Sequence, residues 1–148
     1  MVPRSEKSLS RRTAFLVAVF ALGAGVTGCA EPAAVACASW PLLTSAEMAD
    51  IADLVLTTDS IERSGVEEFL GVDAAAYEVV VREVTAGDAD PGAVIRVVST
   101  PDSCAANYYA EGDQLATSGL VRLYLTVEED GLVRTLTPFA GVERLTGG

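Results

Sequence analysis

Apolar and polar residues alternate in short stretches after residue 52, and turn residues separate these stretches. The predicted strands are residues 52–61, 77–84, 94–99, 120–127 and 132–137. Ser64-Gly65 and Gly71 are predicted to break the chain after the first strand, and residues 66–70 between them to form a single helical turn or a loop. Within the second of them, Tyr77, Val79 and Val81 are spaced two residues apart and so share one face of the strand. The chain beyond residue 52 is therefore predicted to be all-β.

The last two predicted strands form the clearest hairpin in the chain. Asp130-Gly131 stands between them, and this dipeptide is typical of a two-residue hairpin turn. In the strand before the turn, the alternation predicts four residues facing the core, namely Val121, Leu123, Leu125 and Val127. The same alternation predicts that Arg122 and Tyr124 face outward.

A short helix is predicted before the first strand. Thr44 and Glu47 are three positions apart, which is the spacing of a capping box. Four residues follow at helical spacing, namely Ala46, Met48, Ala49 and Ile51. This pattern predicts a helix of at most two turns.

The first 29 residues have the pattern of an export signal. The basic pair Arg11-Arg12 precedes an apolar run over residues 14–26, and small residues at positions 27 and 28 lead to Cys29. This order resembles a bacterial lipoprotein signal peptide that ends in a lipobox. The resemblance implies that the chain is cleaved before Cys29 and that the sulfur of Cys29 carries a lipid.

Three other interpretations of the leader compete with this one. A permanent transmembrane helix usually needs about 20 apolar residues, whereas this run is shorter and is interrupted by Gly23 and Gly25. The other two are a secretory signal cleaved elsewhere and a buried core helix. The Arg11-Arg12 pair also resembles a twin-arginine signal, so both Sec and Tat export are open.

The leader divides the chain into three parts. On this interpretation, residues 1–28 are a cleaved signal peptide, residues 29–36 are a tether, and residues 37–148 form one folded domain. The predicted location is extracytoplasmic, anchored to the cell membrane by the lipid on Cys29. At roughly 3.5 Å per extended residue, the tether keeps the domain within about 30 Å of the bilayer. The expected partner is therefore another protein of the cell envelope.

The charge of the mature chain limits its partners. Removal of residues 1–28 leaves six basic and 20 acidic residues, which is a net charge of about −14. Such a field disfavours nucleic acids, because phosphate binding depends on basic patches. It could favour cations or basic partners, or it could serve only solubility.

The composition also argues against catalysis. The chain contains no His, and its one Lys, Lys7, lies in the leader. Serine and cysteine triads, Schiff-base lysines and the usual zinc sites are thereby excluded from the mature protein. The sequence also lacks a glycine-rich phosphate loop. We therefore expect no enzyme activity, no cofactor and no metal.

Two pairs of acids are the remaining candidates for metal binding or catalysis. Asp88 and Asp90 resemble the start of a calcium loop, but the central Gly and closing Glu of that pattern are missing, so a solvated turn is predicted. Glu67 and Glu68 are adjacent, and adjacent residues on a strand point to opposite faces. An enzyme that uses either pair is the least favoured function.

Three cysteines follow the signal. If Cys29 carries the lipid, Cys37 and Cys104 are left as a pair in an oxidising compartment, and a disulfide is expected. Over a loop of this length, such a bond is worth roughly 4 kcal/mol by the chain-entropy estimate. The alternative is two buried free thiols.

The aromatic residues supply the candidate binding residues. Trp40 either packs over one end of the core or offers a surface on which a ligand could stack. Tyr108 and Tyr109, in the irregular stretch at residues 100–119, either cover a disulfide or line a groove. Together with Tyr124, they form the predicted partner-binding surface.

The order of these features resembles the bacterial relatives of the TIMP and netrin module. The resemblance starts with Cys37 and the helix that follows it and continues through the turn at residues 86–92. It then includes Ser99-Thr100-Pro101 before Cys104 and the Tyr109-Ala110-Glu111-Gly112-Asp113 stretch that leads to the last hairpin. It implies a small five-stranded Greek-key barrel of the OB type with a short N-terminal helix, after a cleaved signal peptide.

The resemblance does not carry over the inhibitory mechanism of TIMPs. Those inhibitors chelate zinc through an N-terminal cysteine, whereas here Cys37 is internal and Cys29 would carry a lipid. The chain also lacks the late cysteine of the family, and Thr137-Pro138-Phe139 stands in its place. The expected function is a non-catalytic binding or assembly module of the cell envelope, and the alternative is a protease inhibitor that acts through a loop.

Overall fold

The computed structural model describes residues 37–146. Within this range the chain forms one helix, α1 (Ser45–Ile51), and eight strands. The strands are β1 (Leu54–Thr58), β2 (Ile61–Phe69), β3 (Val72–Val80), β4 (Glu83–Ala86), β5 (Val94–Val98), β6 (Val121–Val127), β7 (Val133–Thr135) and β8 (Val142–Arg144). The prediction of a mostly β chain with a short first helix is confirmed, and the number of strands is eight instead of five.

The predicted signal peptide, the lipidated Cys29 and the tether all lie outside the described residues. All three therefore stay predictions. Residues 37–146 include no helix with the length and apolar character needed to cross a membrane.

The eight strands form one mixed sheet. Hydrogen bonding runs in the order β2-β3-β5-β7-β6-β1-β4, and β8 pairs with β6. Every pairing is antiparallel except that of β5 with β7, which is parallel and consists of the bridge between Val98 and Arg134. The short parallel pairing is reinforced by side chains beyond it. There the amide of Thr100 donates to Oγ1 of Thr135 (2.9 Å), and the hydroxyl of Thr100 donates to the carbonyl oxygen of Thr135 (2.5 Å).

The prediction of a loop or a helical turn at residues 66–70 is wrong. These residues belong to β2 and to the turn after it, and β2 pairs with β3 over nearly its whole length. Gly65 does not end the strand. The register between β2 and β3 shifts between Arg63 and Gly65, and Gly65 has φ +135°. The glycine thus marks a β-bulge, after which pairing resumes.

The first half of β3 was also missing from the predicted strands. Its three alanines, Ala74, Ala75 and Ala76, have low strand propensity but are fully buried. Ala74 and Ala76 pack with Val98, Phe69 and Leu132 on one face of the sheet. Packing on both faces therefore outweighs the weak propensity of alanine for strands.

The main core lies on the other face of β3. Its buried members are Leu54, Leu56, Ala75, Tyr77, Val79, Val81, Val97, Leu115, Val121, Leu123 and Leu125. Strands β1, β3, β5 and β6 all contribute to it, and Leu115 enters from the irregular segment at residues 100–119. The predicted inward faces of Tyr77, Val79 and Val81 are confirmed.

Helix α1 covers a second, smaller core. The predicted capping box is confirmed, because the amide of Glu47 donates to Oγ1 of Thr44 and the amide of Thr44 donates to Oε2 of Glu47 (2.8 Å). These hydrogen bonds from Thr44 lower the pKa of Glu47. Met48 of the helix packs against β1 and β6. The buried residues of this second core are Met48, Val55, Tyr124, Leu136 and Ala140.

The predicted exposures of two side chains in β6 are wrong. Tyr124 was expected to face outward but is only 3% exposed, because the α1 side of the sheet has a core of its own. Val127 was expected to face inward but is 44% exposed, at the end of the strand before the hairpin. Alternation alone does not show that both faces of β6 are covered.

Candidate binding groove

The three tyrosines of the predicted binding surface are not brought together. Tyr124 is buried beside Met48, and its hydroxyl donates to Oε2 of Glu143 (2.8 Å). Burial raises the pKa of Tyr124. Tyr108 is 39% exposed and is the only one of the three with a ring open to solvent. The prediction that all three share one contact surface is therefore wrong.

Tyr109 fixes the 100–119 segment to the sheet. Its hydroxyl donates to the carbonyl oxygen of Ser99 (2.8 Å) and accepts from the amide of Ala75 (2.9 Å). Burial raises the pKa of this phenol. The side chain thus bonds to β3 and to the residue that follows β5, and its role is structural.

Cys37 and Cys104 are neighbours with free thiols. Both are exposed, so the alternative of buried thiols is wrong. The hydrogen bond with Cys37 raises the pKa of Cys104 to about 11. The Cys104 thiol also lies 3.6 Å from the carbonyl oxygen of Ala38. The two cysteines are therefore adjacent without being bonded, and the disulfide stays a prediction.

Trp40 packs against a cation. The guanidinium carbon of Arg134 lies 5.9 Å from the centre of the Trp40 ring and 5.1 Å from the centre of the Phe69 ring. Arg134 also donates to Oε1 of Glu128 (2.6 Å). Arg134 thus links the segment before α1, the β2–β3 hairpin and the β6–β7 hairpin. Trp40 packs on this cation and is not part of the buried apolar clusters of residues 37–146.

The tips of these two hairpins line an open groove of about 510 Å³. We call its three apolar lining residues, Phe69, Leu70 and Leu132, the floor. The other four lining residues are acids, which we call the rim, namely Glu68, Glu128, Glu129 and Asp130. We call these seven residues the hairpin groove.

Leu70 has an unusual position in the hairpin groove. It is 40% exposed and has φ +54°, the left-handed conformation. A turn of this kind favours Gly or Asn, because a larger side chain is strained there. A hydrophobic residue is thus held at the exposed tip of the hairpin, next to Gly71.

Two rim acids have roles in the fold and two do not. Glu128 pairs with Arg134, and Oδ1 of Asp130 accepts from the amide of Leu132 (3.0 Å) within the turn. Glu68 and Glu129 take part in none of the ion pairs found among residues 37–146. The groove therefore has a negative rim that is only partly compensated by Arg134.

A second cleft of about 420 Å³ lies beside the 100–119 segment. It includes Asp113, which accepts from Tyr77 and from the amide of Leu115, and Arg144, which donates to Thr117. These polar groups are occupied by bonds that hold the segment in place. The hairpin groove is the better candidate because Leu70, in its lining, belongs to none of the buried clusters of residues 37–146, and Glu68 and Glu129 form no ion pair there.

Of the acids considered from the sequence, only Glu68 lines the hairpin groove, and Glu67, Asp88 and Asp90 are not part of it. Asp88 and Asp90 are exposed in the turn after β4, and Glu67 pairs with Arg96 (3.4 Å). Within residues 37–146, no group of three or more His, Cys, Asp or Glu side chains is arranged to hold a metal ion.

No protein-family model matches this chain, and comparison with curated proteins and with solved structures finds no significant match. The assignment of a site therefore depends on the geometry and the sequence. The hairpin groove was not predicted from the sequence, although Glu128-Glu129-Asp130 at a hairpin tip and the apolar pair Phe69-Leu70 were visible signals. These two signals lie in hairpins about 60 residues apart. The prediction of a loop or a helical turn at residues 66–70 left no place for the first hairpin.

Proposed function

We propose that this protein is an extracytoplasmic lipoprotein that acts as a non-catalytic binding module of the cell envelope. In this proposal the lipid on Cys29 holds the domain at the membrane, and the hairpin groove contacts a protein partner. The observation that carries the proposal is the groove itself, in which exposed Leu70 and half-buried Phe69 and Leu132 form an apolar floor. Loops and turns held by a rigid sheet are common positions for binding residues.

The lipobox and the length of the tether support the location. Trp40 packs on Arg134, which borders the groove, and Trp40 follows Cys29 by 11 positions. At roughly 3.5 Å per residue, this side of the domain stays within about 40 Å of the lipid. A partner that fills the groove would thus be a membrane protein or a protein at the membrane surface.

The proposed fold is a five-stranded Greek-key barrel of the OB type, similar to the TIMP and netrin module. Two features of the strand order support it. Only Asp59 and Ser60 separate β1 from β2, so the two can act as one bent strand that pairs at both ends of the sheet. The third and fifth barrel strands would be β5 and β7, which pair in parallel as that topology requires.

A disulfide between Cys37 and Cys104 belongs to the same proposal. The two thiols are neighbours, and an extracytoplasmic compartment would supply the oxidant. The bond would join the segment that continues into the tether to the 100–119 segment. The tether would then leave the domain at a fixed point.

Site-specific photocrosslinking in cells tests the proposed contact surface. A photoreactive benzoylphenylalanine at Leu70 should cross-link to one reproducible envelope protein. The matched control is the same residue at Val94, which is also exposed and apolar but lies at the opposite end of the sheet from the hairpin tips. Equal cross-linking at both positions, or none at Leu70, would contradict the proposal. A cross-linked protease would favour the alternative of a loop-mediated inhibitor.

A further inference from the structure

We propose that the hairpin groove binds a basic, extended peptide segment that carries a large apolar side chain. This inference depends on the proposed function, because it names the chemistry of the partner at the same groove. Three observations carry it: the apolar floor, the charge of the rim and the position of Arg134.

The apolar floor has one exposed member that the fold does not require. Phe69 and Leu132 pack against Ala74, Ala76 and Val98, so part of their surface stabilises the sheet. Leu70 belongs to none of the buried clusters in residues 37–146 and is held in a left-handed conformation that disfavours it. A side chain that is strained and solvent-exposed in the isolated domain fits a role in contact with a partner.

The rim determines the sign of the partner's charge. Glu68 and Glu129 are exposed without an ion pair in the described part of the chain, and Glu128 and Asp130 add two further carboxylates. Basic side chains complement this rim. Their long methylene stems can also lie along an apolar floor while the charged end stays in water.

Arg134 does not cancel the attraction for a basic partner. Its side chain is 13% exposed, its Nε pairs with Glu128, and its Nη1 donates to the carbonyl oxygens of Thr135 and Leu136. The rings of Trp40 and Phe69 lie against its guanidinium. The positive charge is thus enclosed within the fold, whereas the carboxylates of Glu68 and Glu129 face solvent.

The size of the groove suits a short segment. A volume of about 510 Å³ lies within the range of ordinary ligand sites and could hold the side chains of a few residues. Its lining comes from two separate hairpins, so a short extended segment can contact both of them. An anionic lipid surface is disfavoured, because its headgroups would meet the same carboxylates.

Binding of labelled peptides to the full-length protein in detergent tests the inference. The probe is a fluorescein-labelled hexapeptide of alternating arginine and leucine, measured by fluorescence anisotropy. Two further hexapeptides replace either leucine by serine or arginine by glutamate. We expect the arginine–leucine peptide to bind most tightly and its affinity to fall with added salt.

Variants of the rim test where the peptide binds. The double variant Glu68→Gln with Glu129→Gln should weaken binding about fivefold, because exposed charge pairs contribute modestly. The control is Glu83→Gln with Asp88→Asn, which removes the same charge from exposed positions elsewhere in the sheet and its turn. Equal weakening by both double variants would show a general field effect and overturn the inference.

The variant Leu70→Asn separates binding from folding. Asn tolerates the left-handed conformation better than Leu, so the midpoint of urea unfolding should stay the same or rise. Binding of the arginine–leucine peptide should fall about tenfold, because the apolar contact is lost. Unchanged binding in this variant would overturn the inference, as would equal binding of the serine-substituted peptide.

The outcome for the peptide and the outcome for the cross-link are distinguishable. If benzoylphenylalanine at Leu70 captures a partner in cells while no basic peptide binds, the partner class is wrong and the proposed function stands. Binding of calcium alone, or of phosphatidylglycerol vesicles, that depends on Glu68 and Glu129 would identify another occupant and would also overturn the inference.

Discussion

The phenol of Tyr77 donates a 2.6 Å hydrogen bond to Oδ2 of Asp113, which is 36 positions further along the chain. Tyr77 lies in the main core at 3% exposure, and Asp113 lies in the irregular 100–119 segment. Oδ1 of Asp113 accepts from the amide of Leu115, which fills the core. This pair of residues therefore couples the packing of β3 to the position of the segment.

Replacement of Tyr77 by Phe should destabilise the fold. The change removes the hydrogen bond to Asp113 and keeps the ring, so we expect a loss of about 1.5 kcal/mol in the free energy of unfolding. Urea denaturation followed by circular dichroism measures it. Tyr108→Phe is the control, because Tyr108 is exposed and belongs to neither the main core nor the second core. An equal midpoint for wild type and Tyr77→Phe would contradict this role.

The same phenol should make the protein sensitive to alkaline pH. Burial and then the hydrogen bond to Asp113 raise the pKa of Tyr77 above its ordinary value of 10. The folded state therefore favours the protonated phenol, and its contribution to stability is complete below pH 10 and is lost as the pH rises toward the folded-state pKa. Unfolding free energy should fall more steeply above pH 10 in wild type than in Tyr77→Phe. Parallel pH profiles would exclude Tyr77 as the source.

The parallel pairing between β5 and β7 should depend on two buried threonines. Thr135→Val keeps the shape of the side chain but leaves the buried amide of Thr100 without its acceptor. We expect a loss of about 2 kcal/mol, which is within the range for a buried polar group left unpaired. Thr126→Val on β6, which is only partly buried, serves as the control. A loss no larger than that of the control would indicate that the pairing does not need this bond.

The reactivity of Cys104 should report its contact with Cys37. The thiolate is the reactive form, and a pKa of about 11 leaves little of it at pH 8. Under reducing conditions the folded protein should therefore react slowly with iodoacetamide at Cys104, and Cys37→Ala should accelerate the reaction at least tenfold. Without reductant, a disulfide would leave neither thiol available. Rapid alkylation of both cysteines in the non-reduced native protein would contradict the disulfide.

The sequence predicts the elements in which local chemistry determines the structure. The capping box of Thr44 and Glu47, the hairpin at Asp130-Gly131 and the inward face of Tyr77, Val79 and Val81 are all confirmed. The hairpin turn has three residues instead of two, because the amide of Glu128 donates to the carbonyl oxygen of Leu132. Each of these three features depends on residues close together in the chain. The all-β class follows from these patterns, whereas the order of the strands in the sheet does not.

The candidate groove could not be predicted because it depends on contacts between distant residues. Ser64-Gly65 was interpreted as a break in the chain, although Gly65 is a bulge within β2, and the alanines of β3 have weak strand propensity. Tyr124 was interpreted as exposed because alternation does not reveal that α1 covers the second face of β6. Only the tertiary fold brings Leu70 and Leu132 to one groove.

Intact-mass analysis of the protein purified from its native membrane tests the account most directly. The account requires a chain that begins at Cys29, carries a diacylglycerol-type lipid on that sulfur, and has lost two hydrogens through oxidation of Cys37 and Cys104. The predicted mass therefore differs from that of residues 29–148 by the lipid adduct and by the disulfide. A protein that retains Met1, or one that has an unmodified thiol at Cys29, would contradict the proposed location and the function that depends on it.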